Sequence, residues 1–86
     1  MRRAEFDAAA LEDLVWWVQH DRKIALRVFR LIRETLRTPF SGTGKPEPLR
    51  HELQGAWSRR ITREHRLVYV VSEERVRFVA CRYHYR

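Results

Sequence analysis

Apolar residues recur at two different periods along this chain, and the change from one to the other divides it. Leu11, Leu14, Val15 and Val18 recur at helical spacing with Glu12 and Asp13 on the other side, which predicts a helix over 8–19. Asp7 is a good N-cap for it, and Ala8, Ala9 and Ala10 have high helix propensity. Trp16 and Trp17 are adjacent, so they cannot both face one core line. His20 and Asp21 make the break. Ile24, Val28, Leu31, Ile32 and Leu36 then form one stripe, with arginines at 22, 27, 30, 33 and 37 on the other faces. A second helix is expected over 22–37. It stops at Thr38, because the residue before a proline is pushed away from the α region.

The second half reads with the period of strands. Residues 41–48 hold two glycines and two prolines and read as an ordered loop, and 49–53 as a brief edge strand. Strands are expected over 57–62, 66–71 and 75–83, separated by turns at 63–65 and 72–74. These three form an antiparallel meander. Residues 2–6 can form a short first strand. Two N-terminal helices packed on one face of an antiparallel sheet give a compact α+β fold, and the length allows a single domain, 1–86, with one small core.

Charge changes this picture. The formal net charge is +7 at pH 7. Lysine occurs only at Lys23 and Lys45, so the basicity is almost all arginine. Residues 1–43 have a balance of +2 and residues 44–86 one of +5. Arginine's planar fork suits phosphate, so the bias points to a polyanion partner. Charged residues interrupt every apolar run, so no membrane span or signal peptide is expected and the protein is expected in the cytoplasm. The single cysteine, Cys81, cannot close an internal disulfide and reads as a small core residue. The histidine spacing matches no common zinc motif, so neither a metal site nor a cofactor is expected.

Three residues stand out chemically. Glu47 sits between Pro46 and Pro48, which stiffen its loop. Arg66 opens an apolar strand, and His84 lies between Tyr83 and Tyr85 at the end of the chain. By strand parity Val76, Phe78 and Ala80 share a face that continues to Arg82 and His84. Antiparallel pairing across the 72–74 turn places Arg66 near residues 80–84. Cleavage of RNA by 2′-hydroxyl attack needs a base, a cation for the phosphorane and an acid for the leaving oxygen. Glu47 suits the first, Arg66 the second and His84 the third, with Tyr85 able to stack on a base or share the proton work. Lys45, Arg50, Arg59, Arg60 and Arg82 are candidates to hold RNA phosphates, and His51 to touch RNA. His65 reads as a surface histidine. Taken singly, each is better read in its ordinary role: Glu47 as a solvated loop carboxylate, Arg66 as a surface ion-pair partner and His84 as a frayed chain end.

At these residues the sequence resembles the YoeB toxins of the RelE/ParE superfamily. The matching text is Thr38-Pro39-Phe40, Gly44 through Leu49, Trp57 through Thr62, Glu64 through Tyr69, and Ala80-Cys81-Arg82-Tyr83-His84-Tyr85. The resemblance implies a RelE-like βααβββ fold and a toxin silenced by a YefM-like antitoxin. It implies entry into the ribosomal A site and cleavage of the bound mRNA there. The sequence does not fix the oligomeric state, and a homodimer is compatible with it. The family's catalytic glutamate, arginine, histidine and terminal tyrosine fall on Glu47, Arg66, His84 and Tyr85. Here Arg86 follows the tyrosine on which the family often ends, and Ala8-Ala9-Ala10 stands where an aromatic is usual. The competing readings are a non-enzymatic inhibitor of DNA gyrase, as in the ParE branch, and a plain RNA-binding module.

Overall fold

The chain runs β1 (Arg3–Phe6), α1 (Ala8–His20), α2 (Arg22–Arg37), β2 (Glu47–Pro48), β3 (Ala56–Arg60), β4 (Arg66–Val71) and β5 (Arg75–Ala80) in a computed structural model that describes residues 1–49, 53 and 55–83. The five strands form one sheet in the order β1-β5-β4-β3-β2. β3, β4 and β5 are the expected antiparallel meander. β1, however, pairs with β5 in parallel, so the sheet is mixed rather than antiparallel. The reason is an open edge. β5 ends the meander with one side unpaired, and β1 satisfies those backbone groups: Arg3 N–H donates to Glu74 O and Asp7 N–H to Phe78 O, both at 2.9 Å.

The helices lie where their apolar residues direct them. α2 buries Val28, Leu31 and Ile32, as its stripe predicts, and its N-cap Asp21 accepts from Ile24 N–H at 3.2 Å. α1 is rolled from its expected setting. Ala10, Leu14 and Trp17 are buried, whereas Leu11, Val15 and Val18 are exposed. Two polar bonds to the far end of β5 set the roll: Trp17 Nε1–H donates to Cys81 O at 2.7 Å, and Asp13 accepts from Cys81 N–H at 2.9 Å. These helix residues close the main core against Leu67, Tyr69, Val76, Phe78 and Cys81 on one face of the sheet. The other face carries a smaller cluster of Ala56, Val68 and Val79.

A bulge separates these faces on β5. Val68 pairs with Ala80 and Tyr69 with Phe78, which leaves Val79 as the extra residue. Val76 and Phe78 therefore face the helices while Ala80 faces away, opposite to the unbroken parity expected from the sequence.

Arg59 corrects the sequence reading outright. It was a candidate for RNA phosphate, but its side chain is wholly buried. Nε donates to Tyr69 OH at 3.2 Å. Nη1 donates to Glu34 Oε2 at 2.7 Å and to Thr43 O at 3.1 Å. Nη2 donates to Thr38 O and, at 2.9 Å, to Ser41 O. Every donor of the fork is spent inside the protein, so none remains for a phosphate. Glu34 also accepts from the Thr43 N–H at 2.5 Å and the Thr43 hydroxyl at 2.9 Å. Gly42 crosses close by: a Cβ there would stand 2.1 Å from Glu34 Oε2, and its φ is +113°.

Two predictions follow from this hub. Arg59→Met leaves Tyr69 and three carbonyls without the guanidinium donors, and is expected to cost about 3 kcal/mol or more in urea unfolding, since each buried acceptor left unpaired costs roughly 1–3 kcal/mol. The Thr43 N–H, burial opposing it, holds the Glu34 carboxyl below its ordinary value of 4.5. Its contribution to stability is therefore complete above that value and is lost as pH falls through the lower folded one. Unfolding midpoints followed from pH 6 downward, roughly the window for carboxylates, should show a loss that Glu34→Gln abolishes.

Candidate functional site

The face turned away from the helices carries the candidate groups. A row of register partners crosses it: Glu47 on β2, Ser58 on β3, Val68 on β4 and Ala80 on β5. Arg66 lies two residues along β4 from Val68, opposite Arg60. Parity alone puts Arg66 and Val68 on one face, as expected.

Glu47 arrives by a turn the sequence left unspecified. Gly44 has φ +85° and Lys45 φ 49°, two left-handed residues in succession before Pro46. Gly44 O accepts from Arg60 N–H at 2.7 Å. A Cβ on Gly44 would stand 2.9 Å from Arg60 O, so the close approach needs glycine. The chain then pairs with the sheet at Glu47–Pro48. Residues 41–48 are thus not loop throughout, and pairing starts ahead of the expected edge strand at 49–53. That strand falls largely on residues 50–52, outside the described ones.

The pairing brings the acid and the cation together. Arg66 Nη2 lies 3.2 Å from Glu47 Oε1, and Arg66 Nη1 donates to Ser58 Oγ at 3.0 Å. The arginine side chain is 17% exposed and the glutamate 57%. The guanidinium is thus fixed by two bonds and packing, while the carboxylate stands in solvent. Two arginines directly opposite each other on neighbouring strands repel, and Glu47 offsets that charge. Ser58 was missed in the sequence. Its only signal is parity, because it pairs with Val68 on the face of Arg66.

The end of the chain comes to the same place. Arg66 N–H donates to Tyr83 O at 3.0 Å, so the antiparallel register delivers the residue before His84 to Arg66 as expected. His84 and Tyr85 lie outside the described residues, as do Arg50 and His51. β5 itself ends at Ala80, three residues short of the expected strand. Lys45 and Arg60 are exposed. Arg82 is half-buried, its guanidinium carbon 3.5 Å from the centroid of the Trp16 ring. His65 is not the surface residue expected: it is half-buried, edge-on to Trp17 with centroids 4.8 Å apart, and accepts from Tyr83 N–H at 2.7 Å.

Cys81 is excluded as a nucleophile. Burial first, and the Asp13 carboxylate second, push its thiol up to about 12. Asp13 is itself raised, chiefly by burial, although the Cys81 N–H and the charge of Arg82 oppose the shift. An exposed acid and a fixed cation remain, an arrangement that can bind a phosphodiester and stabilise charge building on it.

The chain is similar to known proteins along nearly its whole length. The sequence pattern of the YoeB-like toxins of bacterial type II toxin–antitoxin systems matches residues 6–85. The toxin RelK of Mycobacterium tuberculosis is 55% identical over 85 residues, covering 99% of this chain and 100% of its own. The solved YoeB dimer of Staphylococcus aureus superposes with a TM-score of 0.89 at 38% identity, covering 98% of each chain. The heterotetrameric YoeB–YefM toxin–antitoxin complex of the same organism gives a TM-score of 0.86 at 37% identity, covering 99% of each chain.

The exposed Glu47 makes a prediction of its own. An ion pair in solvent contributes little, so Glu47→Ala should shift unfolding free energy by no more than about 1 kcal/mol in urea titration. A larger loss would mean that Glu47 holds the edge of the sheet.

Proposed function

This chain belongs to the YoeB-like toxins of bacterial type II toxin–antitoxin systems, and on that premise we propose that it is an endoribonuclease that cuts mRNA in the ribosomal A site and so blocks translation. The observation that carries the reading is Arg66: its guanidinium is held by Ser58 and Glu47, and its backbone N–H donates to the carbonyl of Tyr83. One residue thereby links the candidate base to the segment that leads into the candidate acid.

The proposed reaction needs no metal. Glu47 takes the proton of an RNA 2′-hydroxyl. The freed oxygen attacks the adjacent phosphorus, and Arg66 stabilises the charge on the phosphorane oxygens. The bond from phosphorus to the 5′ oxygen breaks, and His84 supplies the proton that this oxygen takes up. The products are a 2′,3′-cyclic phosphate and a 5′-hydroxyl. Tyr85 stacks on a base or shares the proton work. Lys45, Arg50, Arg60 and Arg82, with His51, hold RNA or ribosome phosphates through charge-assisted bonds.

Residues 1–86 act as one toxin domain in this reading. A YefM-like antitoxin silences it, and a homodimer fits as well, since the S. aureus relatives are a dimer and a heterotetramer with YefM. The basic surface favours an acidic, partly disordered antitoxin segment that orders on binding. Among the described residues no helix is long and apolar enough to cross a membrane, which accords with action in the cytoplasm.

Programmed ribosomes incubated with the purified protein, with mRNA ends mapped, test the reading. Arg66→Ala should lower cleavage by roughly 10²–10³-fold, the scale for one preorganised donor. Arg66→Lys should restore only part, because lysine lacks the fork. His84→Gln should lower it by about 10²-fold or more with binding retained. The same RNA free in solution should be cut far more slowly, because the ribosome fixes the 2′ oxygen in line. A gyrase inhibitor or a plain RNA-binding module would need neither Glu47 nor His84 and would leave the mRNA intact.

A further inference from the structure

The residue before His84 is gripped at both of its peptide groups by two consecutive residues. The Tyr83 N–H donates to His65 Nδ1 at 2.7 Å, and the Tyr83 carbonyl accepts from the Arg66 N–H at 3.0 Å. Tyr83 has φ 59°, a left-handed conformation that a tyrosine keeps only where its surroundings impose it. The residue is 57% exposed, so burial is not what imposes it. The grip on the backbone is.

The His65 end of this clamp is rigidly mounted. Its own carbonyl closes the β3–β4 turn by accepting from Ile61 N–H at 2.9 Å and Thr62 N–H at 3.2 Å. Trp17 packs edge-on against the imidazole, and the Tyr83 ring lies on it with centroids 5.2 Å apart. An imidazole nitrogen that accepts a backbone N–H must carry a lone pair, so the ring is neutral with its proton on Nε2.

We propose that His65 is a positioning residue of the RNA-cleaving site: its Nδ1 and the adjacent Arg66 N–H fix the Tyr83 peptides and so aim the chain that carries His84. The proposal rests on the endoribonuclease reading above and adds a residue to it that touches no substrate. His65 and Arg66 together then join the base, the cation and the acid-bearing segment through one turn. An aim error of about 1 Å costs on the order of 10²-fold in rate.

Two variants of the full chain on programmed ribosomes test it. His65→Leu fills the space against Trp17 without an acceptor. His65→Asn places Oδ1 where Nδ1 stands and restores one. His65→Leu is expected to lower kcat by roughly 10–10²-fold at an unchanged KM, and His65→Asn to stay close to wild type. In the wild-type protein, NMR should show a coupling across the hydrogen bond between the Tyr83 amide nitrogen and His65 Nδ1. Wild-type kcat in His65→Leu, a folded but inactive His65→Asn, or absence of that coupling would each overturn the proposal. If His65→Leu fails to fold, the asparagine variant and the coupling decide. A wild-type protein that leaves mRNA uncut defeats the endoribonuclease reading itself, and this proposal with it, whereas a cutting wild type with an equally active His65→Leu defeats this proposal alone.

Discussion

A guanidinium buried under a sheet must find a partner for every donor, and Arg59 finds its partners in one short stretch of backbone. Three of them are carbonyls, of Thr38, Ser41 and Thr43, and the others are Glu34 on α2 and Tyr69 on β4. Leaving any donor unmet in so dry a place is costly, so the loop after α2 has little freedom. Tyr69 extends the constraint by donating to Pro39 O at 2.7 Å. The Gly44–Arg60 bond then passes it one residue along β3, and Glu47 leaves the turn already committed to the sheet edge. The candidate base is therefore placed by a cation on the opposite face that it never touches.

The same strand thus does two jobs with adjacent residues. Arg59 points into the helix-covered core and Ser58 to the outer face, where it holds Arg66. Alternation makes this separation automatic. It also divides arginine's two uses. Arg59 is structural because its fork is saturated inside. Among the described residues only part of the Arg66 fork is engaged, and its partner carboxylate stands in solvent.

A second seam holds the far end of the molecule. Asp13 and Trp17 on α1 bind the two sides of Cys81, and His65 and Arg66 bind the two sides of Tyr83. Regular pairing has ended by then, at Ala80. Side chains replace the ladder in holding this segment, which lets it leave the sheet in a direction that a strand could not take. The Val79 bulge begins that departure by turning Ala80 from the core face to the face of Glu47 and Arg66.

The sequence by itself determined the elements and the chemistry on offer. The stripe of α2, the meander and the placement of Arg66 beside residues 80–84 all depend on local periodicity and short turns, which a linear pattern records. The likeness of its literal words to YoeB toxins carried the candidate base, cation and acid above their ordinary readings. Only the tertiary structure decided the rest, because each remaining feature depends on a contact between distant residues. Parallel pairing of β1 answers an open edge across 72 positions, as in Arg3 with Arg75. The roll of α1 answers polar bonds to Cys81, which override the apolar stripe of Leu11, Val15 and Val18. Arg59 reads as one more basic residue until its buried partners are known, and a bulge of one residue leaves no mark in a run such as Arg75–Ala80 while it reverses which face the following residues take.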